Sequence, residues 1–187
     1  MYSRFIFMKA KPSIPPRRAW PAPRRNAGRG HAKQTMRLTS FTDYSLRVLI
    51  YLGAHQGDSH LATIGDIASA YGISENHLMK VVHHLGQQGY VETVRGKGGG
   101  MRLARQPELI NLGGVVRGAE VDLAIVECFQ PGNDRCPIAP ACALQGVLRG
   151  ALDAFLDVLD RKTLADLLSS RQQLACIFRD ASARRAS

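Results

Sequence analysis

The sequence predicts a mainly α-helical fold with one small β-hairpin, followed by a long helix carrying an apolar stripe. Three observations carry that expectation. Residues 43–88 hold three stretches of helical apolar spacing joined by short polar or glycine-containing turns. Residues 90–104 alternate as two strands about a glycine-rich turn. Residues 141–160 repeat leucines at steps of four and three.

Composition narrows the classes. A chain of 187 residues with 45% apolar residues suits one domain plus an arm. No apolar run approaches the ~18 residues of a membrane span, so no membrane partner and a cytoplasmic setting are expected. The net charge of +10 is unevenly placed. Residues 1–35 contain nine basic residues and no acid, whereas residues 36–187 hold 16 basic and 15 acidic residues. Five of the nine prolines, Pro12, Pro15, Pro16, Pro21 and Pro23, also fall in the first segment. They forbid a continuous helix there. Residues 1–35 therefore read as a disordered basic extension ahead of a protein that starts at Met36. Phe5-Ile6-Phe7-Met8 is too short for a secretory apolar core.

The first helix is expected over 43–54, with Leu46, Leu49, Ile50 and Leu52 inward and Ser40 or Thr42 as N-cap. A second, about Thr63 to Ala70, carries Ile64, Ile67 and Ala68 on one face. Tyr71-Gly72-Ile73-Ser74 turns the chain, and Ser74 is placed to cap a third helix, Glu75 to Gln88. On that helix Leu78, Val81, Val82 and Leu85 fall in one sector at ~100° per residue. Asn76, Lys80, His83 and Gln87 fall opposite, with no acid among them, and His77 and His84 flank them. Helix, tight turn and helix with a polar outer face is the helix-turn-helix pattern. An ordinary helical hairpin would look the same.

The next segment separates the two. Tyr90 to Arg95 and Met101 to Ala104 alternate as strands, joined by Gly96-Lys97-Gly98-Gly99-Gly100. Arg95, Lys97 and Arg102 lie at or near the tip. A basic hairpin directly after a recognition helix is a winged helix-turn-helix, a reader of double-stranded DNA rather than an enzyme. The candidate DNA contacts are Ser74, Asn76, His77, Lys80, Arg95 and Lys97. A phosphate-binding P-loop fails, because Gly98 stands where Ser or Thr is required after Lys97.

Leu109 to Glu120 reads as a short helix. An irregular stretch with Pro131, Pro137 and Pro140 precedes a long helix, about Ala141 to Asp160. Its stripe of Leu144, Leu148, Leu152, Phe155 and Leu159 exceeds what a small domain buries internally, so a seam between two copies is expected, making a homodimer. A last helix is expected over Thr163 to Ser170, then a basic tail. The organisation is therefore 1–35 extension, 36–106 winged helix-turn-helix, 107–143 cysteine region, 144–172 dimerisation helices and 173–187 tail.

Four cysteines remain. Cys128, Cys136 and Cys142 form a C-x7-C-x5-C triplet in a Pro/Gly loop, and Cys176 stands apart in the tail. A triplet leaves one thiol over for disulfides and suits a metal or iron–sulfur cluster better. All six histidines lie at or before His84, so none accompanies the triplet. A carboxylate is then open as the fourth ligand: Glu127, Asp134 or an acid from elsewhere.

Several blocks are specific: Leu38 to Tyr44, Asn76 to Val82, Gly89 to Lys97, Cys136 to Cys142, and Thr163 to Leu167. Together they resemble the nitric-oxide-sensing iron–sulfur repressors of the Rrf-type winged-helix family, over roughly Met36 to Ser170. The resemblance implies a homodimeric repressor of a DNA operator that releases DNA on reaction with nitric oxide. It implies a cluster on Cys128, Cys136 and Cys142, with Asp43 of the partner subunit as fourth ligand. A 4Fe-4S cluster is implied, with 2Fe-2S as the alternative. Iron–sulfur-status regulators of the IscR type carry a histidine three residues after the last cysteine, where this chain has Gln145. The x7 gap, longer than the family's usual x4 or x5, sets Cys128 apart. A zinc-stabilised DNA-binding module without sensing is the other alternative.

Overall fold

The computed structural model of the protein describes residues 37–58, 61–130, 132 and 136–186. The extension 1–35, the start at Met36 and the candidate ligand Asp134 lie outside them.

Helix α1 spans Ser40–Ala54, three residues earlier than its spacing suggested. The cap is neither Ser40 nor Thr42. Thr39, in extended conformation, accepts from the Thr42 amide at 3.3 Å through Oγ1. Thr42 is fully buried, and its hydroxyl lies 3.1 Å from that of Thr39. Helix α2 spans Ile64–Tyr71 and opens with a capping box. Thr63 Oγ1 accepts from Asp66 N at 3.2 Å, while the Asp66 carboxylate accepts from Thr63 N at 2.8 Å. Gly72 ends it at φ 66°, a left-handed cap that favours glycine. Helix α3 spans Glu75–Gln87. Ser74 occupies its N-cap position but makes no side-chain cap bond.

Strands β1 (Val91–Val94) and β2 (Gly100–Leu103) pair antiparallel with Val91 opposite Leu103 and Val94 opposite Gly100. The hairpin is anchored through β2. Met101 N donates to Ala62 O at 2.7 Å, just before α2. Val91 and Met101 turn inward onto a core with Val48, Leu49, Ile67, Leu78, Val81 and Leu85. Each such fully buried side chain contributes about 1.5–3 kcal/mol relative to exposure.

The single helix expected over 109–120 is broken. A 3-10 turn, Pro107–Leu109, is followed by α4, Leu112–Ala119. Asn111 makes the break: it is extended, caps α4 by accepting from Gly114 N at 2.9 Å, and donates from Nδ2 to Asp160 O at 2.6 Å. The stretch up to Cys142 is irregular, with 3-10 turns at Glu127–Phe129 and Ala139–Ala141.

Helix α5 spans Ala143–Asp160 and buries none of its side chains. Its expected stripe divides in two. Leu148, Leu152 and Leu159 are half-buried, whereas Leu144 and Phe155 are exposed and are joined by exposed Val147 and Val158. The C-terminal end of α5 is fixed to α4 by a two-pronged ion pair, Arg117 to Asp160, with Nη1 to Oδ1 at 2.6 Å. That pair holds the Asp160 carboxyl below the usual carboxylate range. Gly113 permits it, because a Cβ there would overlap the Asp160 carboxylate.

Helix α6 is one turn, Leu164–Leu167, shorter than the expected 163–170. Thr163 and Asp166 form its capping box, and the Thr163 amide, then Lys162, hold the Asp166 carboxyl low. The expected tail is instead a helix, α7, Arg171–Ala186. It packs on α1 and α2 through Leu174 and buried Phe178. Phe178 lies among Tyr51, His55 and Tyr71, with ring centroids 5.0, 5.8 and 5.2 Å away. Cys176 faces out from α7, exposed and free.

Candidate nucleic-acid interface and cysteine segment

The two sectors of α3 separate as its spacing requires. Leu78, Val81, Val82 and Leu85 are buried, and Asn76, His77, Lys80, His83 and Gln87 are exposed. His84 is half-buried, edge-on to Phe41 at 5.3 Å. Ser74, Asn76, His77 and Lys80 thus occupy the first turns of a helix whose inner face is locked. The N-terminal residues of such a helix are the ones that reach base edges in a major groove.

The wing adds charge at its tip. Arg95 and Lys97 are exposed, and like Lys80 they make no ion pair among the described residues. Arg102 differs, since its Nε donates across the hairpin to Glu92 at 3.1 Å. The tip conformation depends on glycine. Gly96 and Gly98 sit at φ 105° and 77°, and a Cβ on Gly99 would meet two carbonyl oxygens within 3.0 Å. Backbone amides flanked by two free cations can approach a phosphate closely there.

Cys128, Cys136 and Cys142 are all free and half-buried, on the segment between α4 and α5. Within one chain they do not converge. Among the described residues no three His, Cys, Asp or Glu side chains gather as a metal site. The donors fit a thiolate-bound group in kind: three reduced cysteines, with every described histidine on the α1–α3 side of the molecule. Glu127 sits beside Cys128 in the 3-10 turn and is exposed.

Asp43 lies in the first turn of α1 and is not the cap. Arg47 Nε donates to its Oδ1 at 3.0 Å. That hydrogen bond raises the Arg47 guanidinium above its already high ordinary value. Arg47 also lies over the Tyr71 ring at 5.5 Å, and Tyr71 Oη donates back to Arg47 O at 3.2 Å. Burial pushes the Tyr71 hydroxyl strongly upward, so it stays protonated as a donor. A second link runs to the cysteine segment. The Glu120 carboxylate, at the end of α4, accepts from Thr39 N at 2.8 Å and from Thr39 Oγ1 at 3.3 Å. Sequence reasoning missed Arg47 and Glu120. Arg47 was within reach, four residues from Asp43 on one helix face. Glu120, 81 residues from Thr39, carried no local signal.

The family described as Iron-dependent Transcriptional regulator, Rrf2, matches residues 38–170. The chain belongs to the Rrf2 family. Among Rrf2 relatives, the HTH-type transcriptional regulator NsrR of Bacillus licheniformis is 52% identical over 139 residues, covering 74% of this chain and 96% of the relative. The HTH-type transcriptional regulator NsrR of Bacillus subtilis is 54% identical over 139 residues, covering 74% and 94%. Of solved structures, CymR, the global cysteine regulator of B. subtilis, superposes with a TM-score of 0.58 at 27% identity, covering 73% of this chain and 98% of that one. IscR of T. potens gives 0.59 at 26% identity, covering 74% and 90%. This Rrf2 chain is therefore a DNA-binding transcriptional regulator on a winged-helix scaffold, not an enzyme. No described helix is long and apolar enough to cross a membrane.

Proposed function

We propose that the protein is a homodimeric cytoplasmic repressor that binds an operator through α3 and the wing and senses nitric oxide through an iron–sulfur cluster. The observation that carries it is the placement of three half-buried, unpaired thiols between the DNA-reading head and a helix with an uncovered apolar face. The sequence blocks that resemble nitric-oxide-sensing repressors support the choice of signal. Cys128, Cys136 and Cys142 would hold the cluster, with Asp43 of the partner subunit as fourth ligand and a 4Fe-4S form favoured over 2Fe-2S. When bound, the cluster supplies iron atoms that react with nitric oxide.

The chain's own residues do the coupling. Arg47 takes one oxygen of Asp43, whose side chain is 45% exposed. Glu120 ties the start of the cysteine segment to Thr39, at the start of α1. Helix α1 packs on α3 through Val48, Leu49, Leu78 and Val82. A rearranged cysteine segment therefore pulls on α1, and through it on the recognition helix. Two heads fit a palindromic site at one separation only, so a small change in their spacing lowers affinity.

Anaerobic purification with iron and sulfide assay tests the cofactor: a brown protein with both elements is expected, and a colourless zinc protein would overturn the sensing mechanism. Asp43→Asn tests the fourth ligand. Because Thr39 is the cap, the substitution removes an exposed i,i+4 ion pair worth about 0.3–0.5 kcal/mol and a first-turn charge worth about 0.3–1 kcal/mol on the helix dipole. Melting should fall by a few degrees at most, while the visible spectrum and the rate of reaction with nitric oxide should change. An unaltered spectrum and rate would remove Asp43 from the ligand set.

A further inference from the structure

Helix α7 lies beyond the residues that match the family. Its inner stripe is Leu174, Phe178, Ala181 and Arg185, at steps of four, three and four. The apolar members sit against the head, and the fourth is a charge at the end of the same face. Arg185 Nη1 donates to Ser69 O at 2.8 Å, in the last turn of α2. Its guanidinium rests on Gly72, where a Cβ would meet Nη1 at 2.5 Å. Gly72 is the left-handed cap of α2, two residues before Ser74 opens the recognition helix. C-terminal anchoring thus delivers a guanidinium to the turn of the helix-turn-helix.

That location has a chemical meaning. In this motif the second helix offers its N-terminal residues to base edges while the first crosses the DNA backbone. A group bonded to the end of the first helix, beside the turn, lies where a backbone phosphate passes. Arginine has five N–H donors, and the Ser69 carbonyl engages one. The side chain is exposed, and the last six residues of α7 include no acid to neutralise it.

We propose that Arg185 is a phosphate-contacting residue, so that α7 extends the DNA footprint of the head beyond α3 and the wing. The proposal rests on the winged-helix DNA interface. The alternative role for Arg185 is to hold the end of α2 only, by bonding Ser69 O at the negative end of the helix dipole.

The test uses the full chain and two probes: a short duplex of arbitrary sequence, and the duplex that the unsubstituted chain itself selects from a random pool. Binding is read by fluorescence anisotropy over a salt series. Arg185→Ala should weaken binding to both duplexes alike and reduce the salt slope by about one. Arg185→Lys, which keeps the charge, should restore the slope. Lys97→Ala serves as reference in the same series. An unchanged slope for Arg185→Ala beside a reduced one for Lys97→Ala would overturn the α7 contact and leave the wing interface standing. A lowered melting temperature with an unchanged slope would do the same, assigning Arg185 to the end of α2. A slope insensitive to both substitutions would overturn the interface itself, and the proposal with it.

Discussion

In the head, Val48, Leu49, Ile67, Leu78 and Leu85 are all within 1% of full burial, whereas α5, eighteen residues long, buries no side chain completely. Val147 is 68% exposed and Val158 55%, on a helix of ordinary apolar content. The head closes its core with its own residues, with Ile110, Val115 and Leu164, and with Phe178 of α7. The region from Glu120 to Asp160 holds the thiols and the uncovered stripe; polar links fix its two ends, Glu120 to Thr39 and Asp160 to Arg117 and Asn111, beside the packing of α5 on α4. A fold completed within the chain resists disturbance. A segment fixed at its ends by polar links is suited to transmit one. Each substitution below separates these two behaviours.

The largest expected effect is on the cysteine segment. Cys136→Ala or Cys142→Ala should abolish iron–sulfur content, because two thiolates rarely suffice, while the head keeps its melting transition. Iron and sulfide assays with circular dichroism check both halves. Loss of the head's transition together with the cluster would mean that the two regions fold as one unit. Next comes the uncovered stripe. Val147→Glu or Phe155→Glu should convert a dimer to a monomer in light scattering and lower operator affinity by about 10²-fold or more, because the second head no longer binds within the same complex. A dimer that survives both substitutions would place the subunit contact elsewhere.

How much of this the sequence disclosed follows the same division. The inner face of α3 was legible because Leu78, Val81, Val82 and Leu85 repeat at helical spacing and are all buried in one core. The hairpin was legible from alternation around Gly96 to Gly100. Helix α7 was not, because its sixteen residues carry few large apolar side chains, Leu174, Ile177 and Phe178, amid arginine, alanine and glutamine. Leu174 and Phe178 are the only large apolar side chains on its inner stripe, and two such positions are too few for periodicity to mark a helix. The α5 stripe was read as one seam, yet Leu148, Leu152 and Leu159 are half-buried while Val147 and Val158 point out. Spacing alone cannot divide a broad apolar face between two neighbours. The thiols were visible as a triplet. The polar links around them, Glu120 to Thr39 and Arg47 to Asp43, depend on tertiary placement and local geometry that residue type alone does not specify.

The junction between the regions gives an intermediate effect. Gly113→Ala would drive a Cβ into the Asp160 carboxylate, and Arg117→Ala would remove that carboxylate's partner. Both break the same tie between α4 and α5. Their effects on melting should therefore be less than additive, with the double variant melting close to the worse single variant. Additive losses would show that Gly113 serves a second contact.

The smallest effects fall within the wing, and there they discriminate most finely. Arg95, Lys97 and Arg102 all carry charge on one hairpin, but Arg102 alone is engaged, with Glu92 at 3.1 Å. Arg95→Ala and Lys97→Ala should each reduce the salt slope of DNA binding by about one, since each releases one phosphate contact. Arg102→Ala should reduce it less, because its guanidinium is already shared with a carboxylate. Glu92→Ala then becomes informative: it frees Arg102, and should raise affinity for non-specific duplex while steepening the salt dependence. An exposed pair of this kind contributes little to stability, about 0–1 kcal/mol, so the fold should not report the change. Equal slopes for all three arginine and lysine variants would mean that DNA breaks the Glu92–Arg102 pair on binding, and that the wing rearranges its charges rather than presenting them ready-made.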